Sequence, residues 1–222
     1  MPTRAQRSRG VPRRQQLIEQ PRSRTPLFII GGIVFALLLV AALAAVALTS
    51  TSTPATPQPA NSISVTGEAL PLFSAEADQA VGMELPTLGG TSLDGTPMSI
   101  SPGEGPLVVV VLAHWCHFCQ AEVPVLVDYL TEHGAPEGVK VVALTTAIDP
   151  ARPNYSPARW LERENWTAPT LVDDANDSGL AALGVDSFPG FVFVDAHGII
   201  TQRMTGQIGA ESFDAALHAL AP

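Results

Sequence analysis

Seven consecutive apolar residues, Leu107 to Ala113 (LVVVVLA), restrict the fold of this 222-residue chain more than any other segment. The run is short and rich in β-branched side chains, which is typical of a strand covered on both faces. A predicted helix, Cys116 to Glu132, and a second predicted buried strand, Lys140 to Thr146 (KVVALTT), follow it. Strand, helix and strand in this order indicate an α/β domain.

Turn residues and patterns of apolar side chains indicate the remaining elements. The dipeptide Asp94-Gly95 within Thr91 to Ile100 predicts a β-hairpin. We also expect a helix around Ala158–Glu164, a strand at Thr170–Asp173, a helix at Asn176–Leu183, a hairpin of Gly190–Asp195 and Ile199–Thr205, and a final helix at Ala210–Leu220. Together these elements predict, at residues 80–222, an α/β domain of three layers around a mixed central sheet.

Charge is divided unevenly along the chain. Residues 1–26 contain seven arginines and one glutamate, a net charge of +6, whereas the five basic and twenty acidic residues that follow give −15. Between the two parts lies an apolar run, Leu27 to Leu48, which as a helix spans roughly 33 Å and matches a bilayer core. We therefore expect a basic cytoplasmic tail at 1–26 and one N-terminal transmembrane helix at 27–48. The overall negative charge disfavours a nucleic-acid partner.

The orientation of this helix follows from its flanking charges. Arginines flank only its N-terminal end, so the N-terminus is predicted to be cytoplasmic and the residues after the helix extracytoplasmic, in a single-pass protein of the cell membrane. A cleaved signal peptide is the alternative, because Ala45-Val46-Ala47 resembles a cleavage site, but signal peptides have a shorter apolar run of about 7–15 residues. Residues 49–79 begin with a Thr-, Ser- and Pro-rich stretch and are predicted to be a linker with a lead-in to the domain.

Both cysteines of the chain belong to one motif, Trp115-Cys116-His117-Phe118-Cys119. Two cysteines are too few for a disulfide-stapled scaffold or a four-cysteine metal site. Because the motif lies between a buried strand and a predicted helix, Cys116 is placed at the helix start, where unpaired amides favour a thiolate. The Cys-x-x-Cys spacing allows a reversible disulfide. We predict that Cys116 is the nucleophile and that Cys119, deeper in the first turn, is the resolving thiol.

Over about Gly82 to Leu220, the sequence resembles the thioredoxin superfamily, in particular its membrane-anchored TlpA/ResA-like thiol–disulfide oxidoreductases. Four matches carry the resemblance: the strand LVVVVLA, the WCxxC after it, Cys119-x-x-Glu122-x-Pro124 in the helix, and Phe188-Pro189 before the strand FVFVD. The hairpin around DGTPMSI also looks like the N-terminal addition of this branch. The resemblance implies a thioredoxin-like three-layer fold for the domain.

The resemblance implies roles for further positions. Pro189 matches the family's cis-proline, beside which the backbone of Phe188 can pair with an extended substrate chain; an ordinary trans proline is the alternative. Glu122 lies on the same helix face as Cys119 and is expected to shuttle a proton for it, the alternative being a solvated glutamate. In thioredoxins themselves an aspartate in the central strand has this role, and Val110 occupies the matching place here.

The residues around the cysteines are expected to face the substrate. The pair between them, His117-Phe118, departs from the family pattern because it contains no proline. A protonated His117 would stabilise the Cys116 thiolate, or the side chain is simply exposed. The predicted substrate-contacting residues are Trp115, His117, Phe118, Phe188 and Pro189. No cofactor and no resident metal is predicted.

The resemblance implies a membrane-tethered enzyme that exchanges thiols and disulfides outside the cytoplasm, with a role in cytochrome c maturation as one expectation. Its expected partners are exported proteins with disulfides or thiols, a membrane-embedded electron donor and the membrane itself. The expected direction is reduction of protein disulfides, and a thiol oxidase that forms disulfides is the alternative. A copper chaperone on the same fold is a further alternative, with His114 and His197 as candidate ligands, although such proteins use Cys-x-x-x-Cys.

Overall fold

The computed structural model of the chain describes residues 61–221. The predicted basic tail (1–26), the predicted transmembrane helix (27–48) and the linker up to residue 60 lie outside this range. Within residues 61–221, no helix combines the length and the apolar character that crossing a bilayer requires.

One mixed sheet contains the strands of the described residues. The strands are β1 (Ser64–Thr66), β2 (Thr87–Ser92), β3 (Pro97–Ile100), β4 (Leu107–Leu112), β5 (Lys140–Thr145), β6 (Thr170–Val172), β7 (Gly190–Val194) and β8 (Ile200–Thr205). Their order is β1-β2-β6-β5-β4-β7-β8, and β3 pairs with β2 to form the predicted hairpin. Strand β4 runs parallel to β5 and antiparallel to β7, which confirms the predicted mixed sheet.

Helices cover both faces of this sheet, which confirms the three predicted layers. They are α1 (His117–Glu132), α2 (Pro157–Arg163), α3 (Ser178–Leu183) and α4 (Gly209–Leu220). All side chains of β4 are buried: its even-numbered residues pack with α1, α2 and α4, and its odd-numbered residues pack on the face that α3 covers. The unbroken apolar run of β4 is therefore explained by burial on both faces.

Helices α1 and α4 pack against each other on the first of these faces. Tyr129 of α1 donates a hydrogen bond from its hydroxyl to the Asp214 carboxylate of α4, with an O–O distance of 2.6 Å. The ring of Phe213 lies edge-on to that of Tyr129, with 5.6 Å between centroids. Burial, together with the nearby carboxylate, raises the pKa of Tyr129 to about 12. This contact joins the helix that carries the cysteines to the last helix of the chain.

The domain extends N-terminally beyond the predicted boundary at residue 80. Strand β1 pairs with β2, and Leu70 is buried in the core. The Asp78 carboxylate forms a bidentate ion pair with Arg203 of β8, in which Nε lies 3.0 Å from Oδ2 and Nη2 is bonded to Oδ1. The guanidinium also donates to the carbonyls of Pro71 and Leu183, and its side chain has no exposed surface. Residues 61–79 are therefore part of the folded domain.

Candidate active site

The motif lies where β4 ends and α1 begins. Cys116 is the N-cap residue of α1 in an extended conformation, and 9% of its surface is exposed. Its backbone N–H donates to the carbonyl of Ala113, and its own carbonyl accepts from Gln120. The first amides of a helix have no intrahelical acceptor, so the Cys116 sulfur lies next to the positive end of α1. This is the position that the sequence predicts for a nucleophilic thiol.

Cys119 lies behind Cys116 in the first turn of α1. It has no exposed surface, and neither cysteine is in a disulfide. Burial raises the pKa of the Cys119 thiol well above its ordinary value, and the charges of Cys116 and Glu122 act in the same direction. A thiol in this state is a poor first attacker and needs a proton acceptor before it can react.

Glu122 is buried, with 1% of its surface exposed, so the solvated alternative is wrong. Its Oε1 accepts hydrogen bonds from the backbone N–H groups of Ile208 (3.1 Å) and Gly209 (2.8 Å), at the first turn of α4. The N-cap residue of α4 is Ile208, which has no polar side chain of its own. The carboxylate of Glu122 thus lies near Cys119 and also supplies the acceptor that the start of α4 lacks.

The peptide bond between Phe188 and Pro189 is cis, as the resemblance implies, and it lies beside the motif. The Cys116 thiol donates to the carbonyl oxygen of Phe188, with an S–O distance of 3.6 Å. The Pro189 carbonyl accepts from the N–H of Gly206 at 2.8 Å, which joins this segment to the end of β8. Residues 188 and 189 therefore form a backbone platform next to the reactive sulfur.

Trp115 forms a wall beside Cys116. Its Nε1–H donates to the carbonyl of Ala147 at 2.7 Å, and its ring meets that of Phe188 edge-on with 6.1 Å between centroids. The Arg152 guanidinium lies 4.1 Å from the centre of the same ring, in a cation–π contact. A cavity of about 310 Å³ opens beside Trp115 and is also lined by Ala147, Ile148, Asp149, Arg152, Asp174, Ala175 and Asp177.

His117 and Phe118 project outward from the first turn of α1. Both are exposed, Phe118 over 54% of its surface, and their rings lie 5.9 Å apart. The structure thus brings Trp115, Phe118 and Phe188 to the surface around Cys116, with His117 beside them. An exposed phenylalanine next to a reactive thiol is suited to contact a protein substrate.

His114 lies just after the end of β4, and its ring contacts a loop that is distant in the sequence. The buried ring uses both nitrogens: Nδ1 lies 2.7 Å from the Pro153 carbonyl, and Nε2 accepts from the Asp149 N–H at 3.2 Å. Because an amide can only donate, Nε2 carries no proton, and burial lowers the pKa of His114. The ring holds the loop that carries Arg152, a residue for which the sequence offered no signal.

No group of three or more His, Cys, Asp and Glu side chains within residues 61–221 is arranged to hold a metal ion. Both His114 nitrogens are already bonded, so the ring is not available as a copper ligand. His197 lies in the turn between β7 and β8, at the opposite end of the sheet from Cys116, since Leu107 pairs with Val194 and Val111 with Gly190. The two histidines considered for a copper chaperone therefore do not complete a site with the cysteines.

Comparisons with known proteins agree with this architecture. Residues 68–217, about two thirds of the chain, match the Redoxin family. The thiol-disulfide oxidoreductase ResA of Geobacillus kaustophilus (strain HTA426) is 26% identical over 151 residues, which cover 68% of this chain and 83% of that protein. ResA of Geobacillus thermodenitrificans (strain NG80-2) is 24% identical over the same shares.

Solved structures show the same fold. A thiol:disulfide interchange protein DsbE from Chlorobium tepidum aligns with a TM-score of 0.52 and 17% identity, over 63% of this chain and 96% of that chain. A secreted Mycobacterium tuberculosis disulfide oxidoreductase homologous to E. coli DsbE aligns with a TM-score of 0.50 and 24% identity, over 65% of this chain and 100% of that chain. The chain belongs to the Redoxin family, within the thioredoxin superfamily of thiol–disulfide oxidoreductases.

Proposed function

We propose that this thiol–disulfide oxidoreductase is tethered to the membrane, acts outside the cytoplasm and reduces protein disulfides with the Cys116/Cys119 dithiol. The observation that carries the dithiol chemistry is the pairing of Cys116, 9% exposed at the start of a helix, with Cys119, fully buried in the first turn. Cys116 can therefore contact a substrate, whereas the sulfur of Cys119 can react only with that of Cys116. This asymmetry assigns the two steps of a disulfide exchange.

The proposed reaction begins with attack of the Cys116 thiolate on one sulfur of the substrate disulfide. A mixed disulfide forms, and the other substrate sulfur leaves as a thiolate. Cys119 then loses its proton and attacks the Cys116 sulfur, which releases the second substrate thiolate and closes a Cys116–Cys119 disulfide. Two electrons pass from the dithiol to the substrate, so another reductant must restore the dithiol.

Glu122 is the proposed acceptor of the Cys119 proton. Burial disfavours the Cys119 thiolate, so the second attack needs a base within the protein. Glu122 lies in the next turn of the same helix and is the carboxylate whose charge acts on Cys119. Val110, at the place of the thioredoxin aspartate, cannot accept a proton.

The proposed substrate surface combines backbone and aromatic contacts. The Phe188 carbonyl beside Cys116 offers an acceptor for the amide of an extended chain. Trp115, Phe118 and Phe188 provide apolar surface around the sulfur. These contacts favour a protein or peptide disulfide over a small molecule and do not select a particular sequence.

Membrane tethering rests on the apolar run 27–48 and on the arginines before it. Alkaline phosphatase, which is active only outside the cytoplasm, is expected to be active when fused after Pro222 and inactive when fused after Arg24. Both fusions are to be compared at equal protein level. Activity of the second fusion without the first would overturn the proposed topology.

Reduction is the proposed direction because the chain has two cysteines, hence no second redox pair, and a tether would hold it near a membrane-embedded donor. Apocytochromes, in cytochrome c maturation, or copper-site cysteines would be suitable substrates. The rival direction has one observation in its favour: an exposed His117 adjoins Cys116, and a histidine cation that stabilises the thiolate makes a dithiol more oxidising.

The reduction potential of the full-length protein decides between the two directions. Thioredoxin lies at about −270 mV and a strong periplasmic oxidant at about −120 mV. We expect a value more negative than about −200 mV, from equilibration with glutathione followed by the fluorescence of Trp115. The Cys116→Ser variant, which cannot form the disulfide, is the control for effects of glutathione on the other tryptophans. A potential near the oxidant end would assign the protein to disulfide formation instead.

A further inference from the structure

We infer that Glu122 is also a positioning residue for the substrate: it holds the 188–189 platform beside Cys116 through the short segment 206–209. The inference rests on the proposed function, in which Cys116 attacks a protein disulfide docked on that platform. It concerns the first step of the reaction, whereas the proton role of Glu122 belongs to the second.

Hydrogen bonds at both ends of segment 206–209 connect Glu122 with the platform through the backbone of that segment. Its Oε1 accepts from Ile208 and Gly209, at 3.1 and 2.8 Å. Two residues before Ile208, the N–H of Gly206 donates to the Pro189 carbonyl at 2.8 Å. The neighbouring Phe188 carbonyl lies 3.6 Å from the Cys116 sulfur. The path leads from the helix of the cysteines, through segment 206–209, back to the reactive sulfur.

Segment 206–209 packs against the core through Ile208, and its two glycines and missing helix cap leave its backbone dependent on contacts from elsewhere. Gly206 and Gly209 have φ angles of +81° and +71°, in the left-handed region that glycine adopts without strain. Helix α4 begins without a side-chain cap of its own, because Ile208 is its N-cap residue. A buried carboxylate on two amides at a helix N-terminus is a charge-assisted contact, stronger than a hydrogen bond between neutral groups. Glu122 is therefore well placed to determine where the segment and the platform lie.

The test isolates the first attack by working in a full-length Cys119→Ser protein, in which no second attack and no Cys119 proton exist. Glu122→Gln keeps an oxygen acceptor for the two amides and removes the charge. Glu122→Met introduces a side chain of similar length and removes both the oxygen acceptor and the charge. The two variants are equally neutral, so a difference between them reports the hydrogen bonds to segment 206–209 and not the charge near the sulfurs.

Two disulfide probes separate positioning from thiol reactivity. Insulin presents a peptide backbone to the platform, and dithiobis(nitrobenzoic acid) presents none. We expect Glu122→Met to slow mixed-disulfide formation with insulin about tenfold, the equivalent of one lost hydrogen bond to a charged group, and to change the rate with the small probe less than about twofold. Glu122→Gln keeps a neutral oxygen acceptor and loses the charge-assisted part of the contact, so it is expected to slow the insulin reaction less than Glu122→Met does.

Tyr129→Phe is the matched control, because it removes another hydrogen bond between α1 and α4 without touching segment 206–209. It is expected to react with both probes at the parent rate. If Glu122→Met does not fold, Glu122→Asp replaces it, since its carboxylate is one methylene too short for the two amides and should slow the insulin reaction alone.

The inference is wrong if Glu122→Met attacks insulin at the parent rate, or if it slows both probes equally. If the parent itself forms no mixed disulfide with insulin, the proposed function falls together with the inference.

Discussion

Replacement of Cys116 by serine is expected to reduce the rate of insulin-disulfide reduction to that of the reaction without protein, whereas Cys119→Ser is expected to trap insulin as a mixed disulfide. Cys116 is the cysteine with some exposed surface, at the start of α1, and Cys119 has none. Without Cys119 the mixed disulfide cannot be resolved within the protein and accumulates. Turbidity of reduced insulin and electrophoresis without reductant measure the two outcomes, and each serine variant is the steric control for the other.

Alkylation gives an independent check of the same assignment. At pH 6, a small alkylating reagent is expected to label Cys116 before Cys119, because burial both excludes the reagent and raises the pKa of the Cys119 thiol. Labelling of Cys119 first would reverse the two roles.

Asp78→Ala is expected to lower the free energy of unfolding by about 3–5 kcal/mol, because it leaves the buried Arg203 guanidinium without its carboxylate. The matched control is Glu104→Ala, which breaks the ion pair with Lys140 at 3.0 Å between side chains that are 63% and 49% exposed. Its stability is expected to stay near that of the unaltered protein. Urea unfolding followed by tryptophan fluorescence measures both, and equal losses in the two variants would contradict a specific role for the buried pair.

The same pair predicts a dependence on pH. Hydrogen bonding to Arg203 holds the pKa of Asp78 below its usual value of about 3.8. The stabilisation is therefore fully present above that usual value and is lost as the pH falls through the lowered pKa. Acid unfolding of Asp78→Ala should lack this contribution.

Much of the fold could be predicted because its elements have strong local patterns. The apolar run of β4, the Asp94-Gly95 turn of the β2–β3 hairpin and the amphipathic α4 are each encoded within about ten residues, and the structure contains all of them. The N-terminal part of the domain has no such pattern. Leu70 lies in the short stretch Ala69 to Phe73, which has neither helical nor strand periodicity, and Asp78 finds its partner 125 residues away. Only the folded chain therefore shows that both belong to the domain.

The candidate site likewise combines contacts that the sequence predicts with one contact that it does not. The spacing of Cys116, Cys119 and Glu122 indicates one helix face, and the structure places all three together. The contact of Glu122 with Ile208 and Gly209 spans 86 and 87 residues and could not be predicted from spacing. One signal was present: the predicted helix Ala210–Leu220 is preceded by Gly206-Gln207-Ile208-Gly209. These four residues include no Ser, Thr, Asp or Asn to cap the helix, so its first amides require an acceptor from elsewhere.

The neutral His114 ring makes the stability of the domain depend on pH in mildly acidic solution. Burial keeps the pKa of His114 below its ordinary value of about 6.5. As the pH falls below that value, the His114 side chain of the unfolded chain binds a proton before that of the folded domain does. Between the ordinary pKa and the lowered one, the folded domain therefore keeps the neutral ring and its two hydrogen bonds, whereas protonation of the unfolded chain reduces the stability of the fold.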